Sequence, residues 1–183
     1  VHALLDHDPE PVVGDEEAPT GVYAMAEIDG ALYASTWNGA FRADPGPDRF
    51  RAQALHLTSH EAWAFHRFGG DLLFADSRRL WRVVDDHVLP LSEDDLYPRI
   101  MLDDPEDAAL LWIGTEHGPA LMRREGTDYR LMHRDFALGW RVNSLVAFDG
   151  SIWLGSSDRG GFRLPRTGLD PSTFAFSAVG KEA

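Results

Sequence analysis

Short clusters of polar and aromatic residues recur along the chain between apolar runs: Trp37-Asn38, His60-Glu61, Arg78, Tyr97 with Arg99, Glu116-His117, Trp140-Arg141 with Asn143, and Asp158-Arg159. Tryptophan and tyrosine beside arginine, asparagine and carboxylates can stack on sugar rings, hydrogen-bond their hydroxyls, or clamp a carboxylate through two parallel N–H groups. The same composition also suits solvated surface loops, which are polar in any case. His60-Glu61 and Glu116-His117 raise the question of a metal, but adjacent residues on a strand point to opposite sides, and neither an HxH nor an HExxH spacing is present. GxSxG, P-loop and GxGxxG patterns are absent too, so nucleophilic and nucleotide chemistry have no motif. The sequence reading therefore names no catalytic residue, no metal site and no cofactor.

The elements that must position these clusters are most legible from Val142 to Leu164, VNSLVAFDGSIWLGSSDRGGFRL. Three runs there alternate apolar and polar residues, Val142 to Phe148, Ile152 to Gly155 and Gly161 to Leu164, and the pattern predicts strands. Asp149-Gly150 between the first two suits the positive backbone angles of a two-residue hairpin turn. The resulting antiparallel meander recurs upstream. Gly30, Gly70, Ala109 and Gly150 hold the same slot at a period of about forty residues.

Second strands read LYAST (Leu32 to Thr36), LFADS (Leu73 to Ser77), LWIGT (Leu111 to Thr115) and IWLGS (Ile152 to Ser156), which places Tyr33, Phe74, Trp112 and Trp153 in one shared inter-blade slot. Third strands keep a bulky apolar residue followed within two positions by arginine: Phe41-Arg42, Trp81-Arg82, Leu121-Met122-Arg123 and Phe162-Arg163. First strands are expected over Val22 to Ile28, Ala62 to Phe68, Arg99 to Leu102 and Val142 to Phe148. The closing strands are expected over Phe50 to Leu57, His87 to Leu91, Tyr129 to His133 and Phe174 to Val179. Four-stranded units repeated at this period are the signature of an all-β propeller, here of four blades over about 20–57, 58–92, 93–134 and 135–180. Val1 to Leu5 reads as an orphan strand of a preceding blade. Because repeats bury their faces only against neighbours, the four blades are expected to form an arc of a larger ring of about seven, with the remaining blades from the same protein. A closed four-bladed ring is the alternative.

The Trp112 to Thr115 strand and the Asp149 to Leu164 stretch resemble the two-component regulator propeller repeat, built from Asp-Gly, an Ile/Leu-Trp-Leu/Ile-Gly-Thr strand and a Gly-Leu-x-Arg strand. In the first unit Ala34-Ser35 replaces the Leu-Gly step, and in the second Leu73-Phe74-Ala75-Asp76 replaces the Trp strand. The resemblance implies a non-catalytic sensor propeller of a bacterial two-component or cyclic-dinucleotide signalling protein, periplasmic or extracytoplasmic in a membrane-anchored parent; a cytoplasmic location remains open. Carboxylates around a propeller axis also resemble lactonase- or lyase-like propeller enzymes, and a protein-interaction platform is a third reading.

In a blade of strands a to d, the d-to-a and b-to-c connections share one face of the ring. The contacts to a small polar ligand, an oligosaccharide or a carboxylate, are therefore predicted from Trp37, Asn38, Tyr97, Arg99, Glu116, Trp140, Arg141 and Arg159. Of 183 residues 44% are hydrophobic, enough for a sizeable core. The formal net charge of −13 opposes contact with nucleic acid or an anionic membrane surface. With no cysteine, the chain has no thiol chemistry and folds independently of redox compartment. No apolar run is long enough to span a bilayer as a helix.

Overall fold

The computed structural model describes residues 21–45, 50–57, 61–85, 87–91, 95–134, 139–166 and 177–179. Val1 to Leu5, and so the expected orphan strand, lies outside them, as do His60 and the start of the last expected strand. Four antiparallel sheets follow one another, each a meander in chain order. Sheet one holds β1 (Val22–Ile28), β2 (Ala31–Thr36), β3 (Gly39–Pro45) and β4 (Phe50–Leu57), and sheet two β5 (Ala62–Phe68), β6 (Asp71–Asp76), β7 (Leu80–Val84) and β8 (His87–Pro90). Sheet three holds β9 (Pro98–Asp103), β10 (Leu110–Thr115), β11 (Pro119–Glu125) and β12 (Asp128–Arg134), and sheet four β13 (Ser144–Phe148), β14 (Ser151–Ser156), β15 (Gly160–Pro165) and β16 (Ser177–Val179). Among the described residues there is no helix. The hairpin turns form as their residues require: Asp29-Gly30 and Asp149-Gly150 all take positive φ, between 48° and 78°.

First strands pack on one another in succession, β1 on β5, β5 on β9 and β9 on β13, which makes them the inner strands of a fan of blades. The core is therefore a set of layers between sheets. Tyr33 and Leu72 meet between sheets one and two, Leu73, Met101, Leu111 and Ile113 between two and three, and Trp112, Leu145, Ile152 and Leu154 between three and four.

The register corrects one sequence expectation. Tyr33 pairs with Ala26, Trp112 with Leu102 and Trp153 with Val146, and the residue of sheet two at that level is Leu73, opposite His66. Phe74 is one position later. A one-residue offset turns a side chain to the other face of a strand, so Phe74 packs back towards sheet one with Ala40 and Ala62. The misalignment arose because Asp76 occupies the place of Thr36 and Thr115: its carboxylate accepts from the amides of Arg78 and Arg79, as Thr115 Oγ1 accepts from that of His117.

Trp112 is fully buried, whereas Trp153, at the same level of the fourth blade, is only half-buried, because no described sheet covers that side of sheet four. The two positions are equivalent in register and unequal in shelter.

Candidate functional site

The inner strands of the first three sheets share an irregularity. Val22 pairs with Thr36 and Ala24 with Ser35, Ala62 with Asp76 and Ala64 with Ala75, Pro98 with Thr115 and Ile100 with Gly114. One residue is left over each time: Tyr23, Trp63 and Arg99. A bulge of this kind re-aims a single side chain while the ladder continues on either side.

These re-aimed residues touch one another across the blades. The rings of Tyr23 and Trp63 lie 4.8 Å apart between centroids. The guanidinium carbon of Arg99 stands 3.8 Å from the centroid of Trp63, close enough for a cation–π contact. Arg99 Nη1 pairs with Glu116 Oε1, and Arg141 Nε donates to the other oxygen, Oε2, at 2.6 Å. At the opposite end the Tyr23 hydroxyl donates to Glu61 Oε1 at 2.9 Å. That hydrogen bond, with some burial and the charge of Glu61, raises the Tyr23 phenol above its ordinary value, and Arg99 partly offsets the effect. The result is a continuous ladder, Glu61, Tyr23, Trp63, Arg99, Glu116, Arg141, that crosses all four sheets on the face of the d-to-a and b-to-c connections. Its two carboxylates balance its two guanidiniums, a neutral strip on a chain of net charge −13.

Of the eight residues expected to contact a ligand, the structure brings Arg99, Glu116 and Arg141 together. Tyr97 stands beside them: its backbone carbonyl accepts from the Glu116 amide at 3.0 Å, its ring meets the His117 imidazole edge-on at 5.1 Å, and its φ is 54°. Its hydroxyl lies 3.3 Å from Asp95, which Arg78 holds through two bonds of 3.0 and 2.8 Å; the Arg78 bonds are the main reason the Asp95 carboxyl stays below the usual carboxylate range. Trp37 is exposed on its turn and lies against Gly21. Asn38 belongs to the turn itself, its Oδ1 2.7 Å from Thr36 Oγ1. Arg159 is exposed and 3.7 Å from Asp158. Trp140 does not present its ring to solvent: it is 6% exposed and stacked on Phe162 at 4.4 Å and 17° in the layer between sheets three and four.

Tyr23 and Trp63 lie in strands β1 and β5 and not in the connections from which the ligand contacts are expected. Their signal was VYAM, AWAF and PRIM at the start of successive inner strands, where a large side chain stands beside the small or apolar residue that carries the alternation.

The opposite face is also richer than its turns suggest, because strand residues supply what Asp-Gly turns lack. Arg67 pairs with Asp29, Arg82 donates to Asp71 at 2.9 Å, and the Tyr129 hydroxyl donates to the same Asp71. Burial, then the Asp71 hydrogen bond, pushes the Tyr129 phenol far up. Arg42, Arg67, Arg82, Tyr33 and Asp85 line an open cleft of about 500 Å³ there. Among the described residues no group of three His, Cys, Asp or Glu side chains is placed to hold a metal.

No family model matches the chain, and no curated protein matches it. Solved structures do. The extracellular domain of the putative hybrid two component system BT4673 from B. thetaiotaomicron superposes with a TM-score of 0.66 at 16% identity, over 92% of this chain and 23% of that one. The Neurospora crassa Pan2 WD40 domain gives 0.56 at 11%, over 85% and 49%, and Citrobacter koseri AztD gives 0.53 at 15%, over 92% and 50%. The chain thus spans about a quarter of the first of these and half of the other two. At such identities the likeness speaks for architecture alone, and that architecture is the β-propeller.

Proposed function

We propose that this chain is part of a non-catalytic sensing propeller of a bacterial signalling protein, located outside the cytoplasm, and that it takes a small polar ligand on the face of the inter-blade ladder. The observation that carries the reading is the ladder itself. Bulges at equivalent places in three blades turn Tyr23, Trp63 and Arg99 out of the core and into one line, which packing alone does not require. Such a line offers stacking surface from Tyr23 and Trp63 and directed N–H groups from Arg99 and Arg141, and it holds no activated nucleophile. The likeness to the extracellular domain of a putative two-component system supports the sensing role and the location. Because the ladder is charge-balanced, neutral oligosaccharides suit it better than dicarboxylates.

Calorimetric titration of the wild type and of the Trp63→Ala and Arg141→Ala variants against a panel of neutral oligosaccharides and carboxylates tests this. Loss of binding equivalent to about 1–3 kcal/mol in both variants is expected. Equal binding by all three proteins would remove this face from consideration.

A further inference from the structure

Arg124 and Arg166 occupy the same place in successive blades. Leu110 pairs with Arg123 as Ser151 pairs with Pro165, and the next amide donates back to the turn before the second strand: Arg124 to the Ala109 carbonyl at 2.8 Å, Arg166 to that of Gly150 at 3.1 Å. Both side chains reach towards the preceding sheet, where their surroundings differ. Arg166 meets the Asp104 carboxylate, which accepts from its Nε and Nη2. Arg124 meets sheet two, where by register Phe68 stands in the place of Asp104. Its guanidinium lies over Gly69, close enough that a Cβ there would stand 2.8 Å from both Nε and Nη1. Among the described residues no carboxylate comes within ion-pair distance of Arg124, and its Nε is buried without an acceptor. Leaving a buried donor of a charged group unmet is costly.

The neighbours of Arg124 add positive charge. Tyr129, its cross-strand partner on β12, donates its hydroxyl hydrogen to Asp71 Oδ2, and Arg82 Nη2 donates to Oδ1 of the same carboxylate at 2.9 Å. Asp71 is thereby engaged at both oxygens. Arg82 sends Nη1 to the Thr127 carbonyl at 3.2 Å, stands 6.0 Å from the Tyr129 ring centroid, and also keeps a buried Nε without an acceptor. The guanidiniums of Arg82 and Arg124 thus face the single, engaged carboxylate of Asp71, a local positive excess on a chain of net charge −13. Arg124 itself is half-buried, and Gly70, Asp71 and Arg82 line the open cleft of about 500 Å³, so the place is reached from solvent.

We infer that Arg124, with Arg82 beside it, forms an anion site between sheets two and three whose ligand is the carboxylate of a small organic acid. The neighbouring blade names the class: the arginine in the equivalent place is satisfied by a carboxylate through two N–H groups in one plane. The site lies on the face opposite the ladder and does not rest on the sensing role.

Titration of the isotopically labelled chain with acetate at constant ionic strength, followed through the arginine Nε–Hε resonances, tests the inference. The Arg124 and Arg82 signals, assigned from Arg124→Lys and Arg82→Lys, are expected to shift together and saturably, while Arg166, already held by Asp104, stays still. Arg124→Gln is expected to weaken the acetate affinity read at Arg82 by about tenfold or more. The wild-type titration decides the matter even where this variant fails to fold. Shifts that never saturate, or that equal those of exposed Arg159, mark general ionic contact and overturn the inference. So does a saturable response to inorganic phosphate without one to acetate, and so does an unchanged affinity at Arg82 in folded Arg124→Gln.

Discussion

Replacing Asp104 by asparagine is expected to be among the most damaging single changes in this chain. Asp104 sits in the turn between β9 and β10 and its carboxylate is fully buried. Its two oxygens accept from the amides of Glu106 (3.0 Å) and Asp107 (2.9 Å), from Trp112 Nε1 (2.9 Å), and from Arg166 Nε (2.8 Å) and Nη2 (2.5 Å). Arg166, just past β15, is itself almost wholly buried, so the pair pins sheet four to sheet three. An amide can satisfy neither a second N–H at its nitrogen nor the arginine charge, and breaking a buried pair by removing one partner costs about 3–5 kcal/mol. For a chain of this size that corresponds to roughly 6–20 °C in melting temperature. Burial alone would raise the Asp104 carboxyl, but the bonds from Trp112, the two amides and Arg166 outweigh it and hold the group below its ordinary value. A folded pKa below the unfolded one, about 3.9, gives stability that is complete above the unfolded value and is lost as pH falls through the folded one. Urea unfolding of wild type and Asp104→Asn, followed by circular dichroism, should therefore show a gap that is constant above about pH 5 and narrows below about pH 4. A gap under about 1 kcal/mol at neutral pH, or one independent of pH down to acid unfolding, would refute the account of this pair.

Three further outcomes follow from the packing. Trp112→Ala should cost about 3–5 kcal/mol in this chain and Trp153→Ala about 1 kcal/mol or less, read from urea midpoints, since only Trp112 leaves a sealed cavity. Gly114→Ala should cost about 1–3 kcal/mol, because a Cβ there would lie 2.6 Å from Ile100 Cγ2 and 2.8 Å from Val142 Cγ1; Gly155→Ala meets only the rotatable Ser144 Oγ, at 2.2 Å, and should cost less in the same assay. Glu116→Gln should weaken the ladder at both arginines by about 1 kcal/mol, with the loss shrinking as salt is raised in thermal melts, since the carboxylate is partly solvated.

The strands and turns were legible because their signals are local. The expected bounds Val22–Ile28 and Phe50–Leu57 match the strands to the residue, and Asp-Gly supplies the left-handed angles that Asp29-Gly30 and Asp149-Gly150 adopt. What escaped depends on register or on distance. Phe74 was placed in the slot of Tyr33 because LFADS looks like LYAST, yet turn chemistry at Asp76 sets the alignment one residue away. Trp140 stands beside exposed Arg141, and nothing in two adjacent letters says that one ring is stacked on Phe162. The Asp104–Arg166 pair joins residues 62 positions apart and leaves no local trace. Half of the ladder, Arg99, Glu116 and Arg141, is legible because these residues lie at or beside the connections between strands; Tyr23 and Trp63 belong to strands whose pairing is broken by one residue.

That broken alternation has a consequence for how the molecule can change. A side chain inside a blade is tied to its neighbours on both sheets, so altering it requires altering them. Tyr23, Trp63 and Arg99 stand outside the pairing, with Val22 and Ala24, Ala62 and Ala64, and Pro98 and Ile100 keeping the register on either side. Their identities are therefore uncoupled from the core, as a tyrosine, a tryptophan and an arginine at equivalent places already demonstrate. The chemistry that this face presents can be rewritten one codon at a time in each of the first three blades while the scaffold beneath it stays the same.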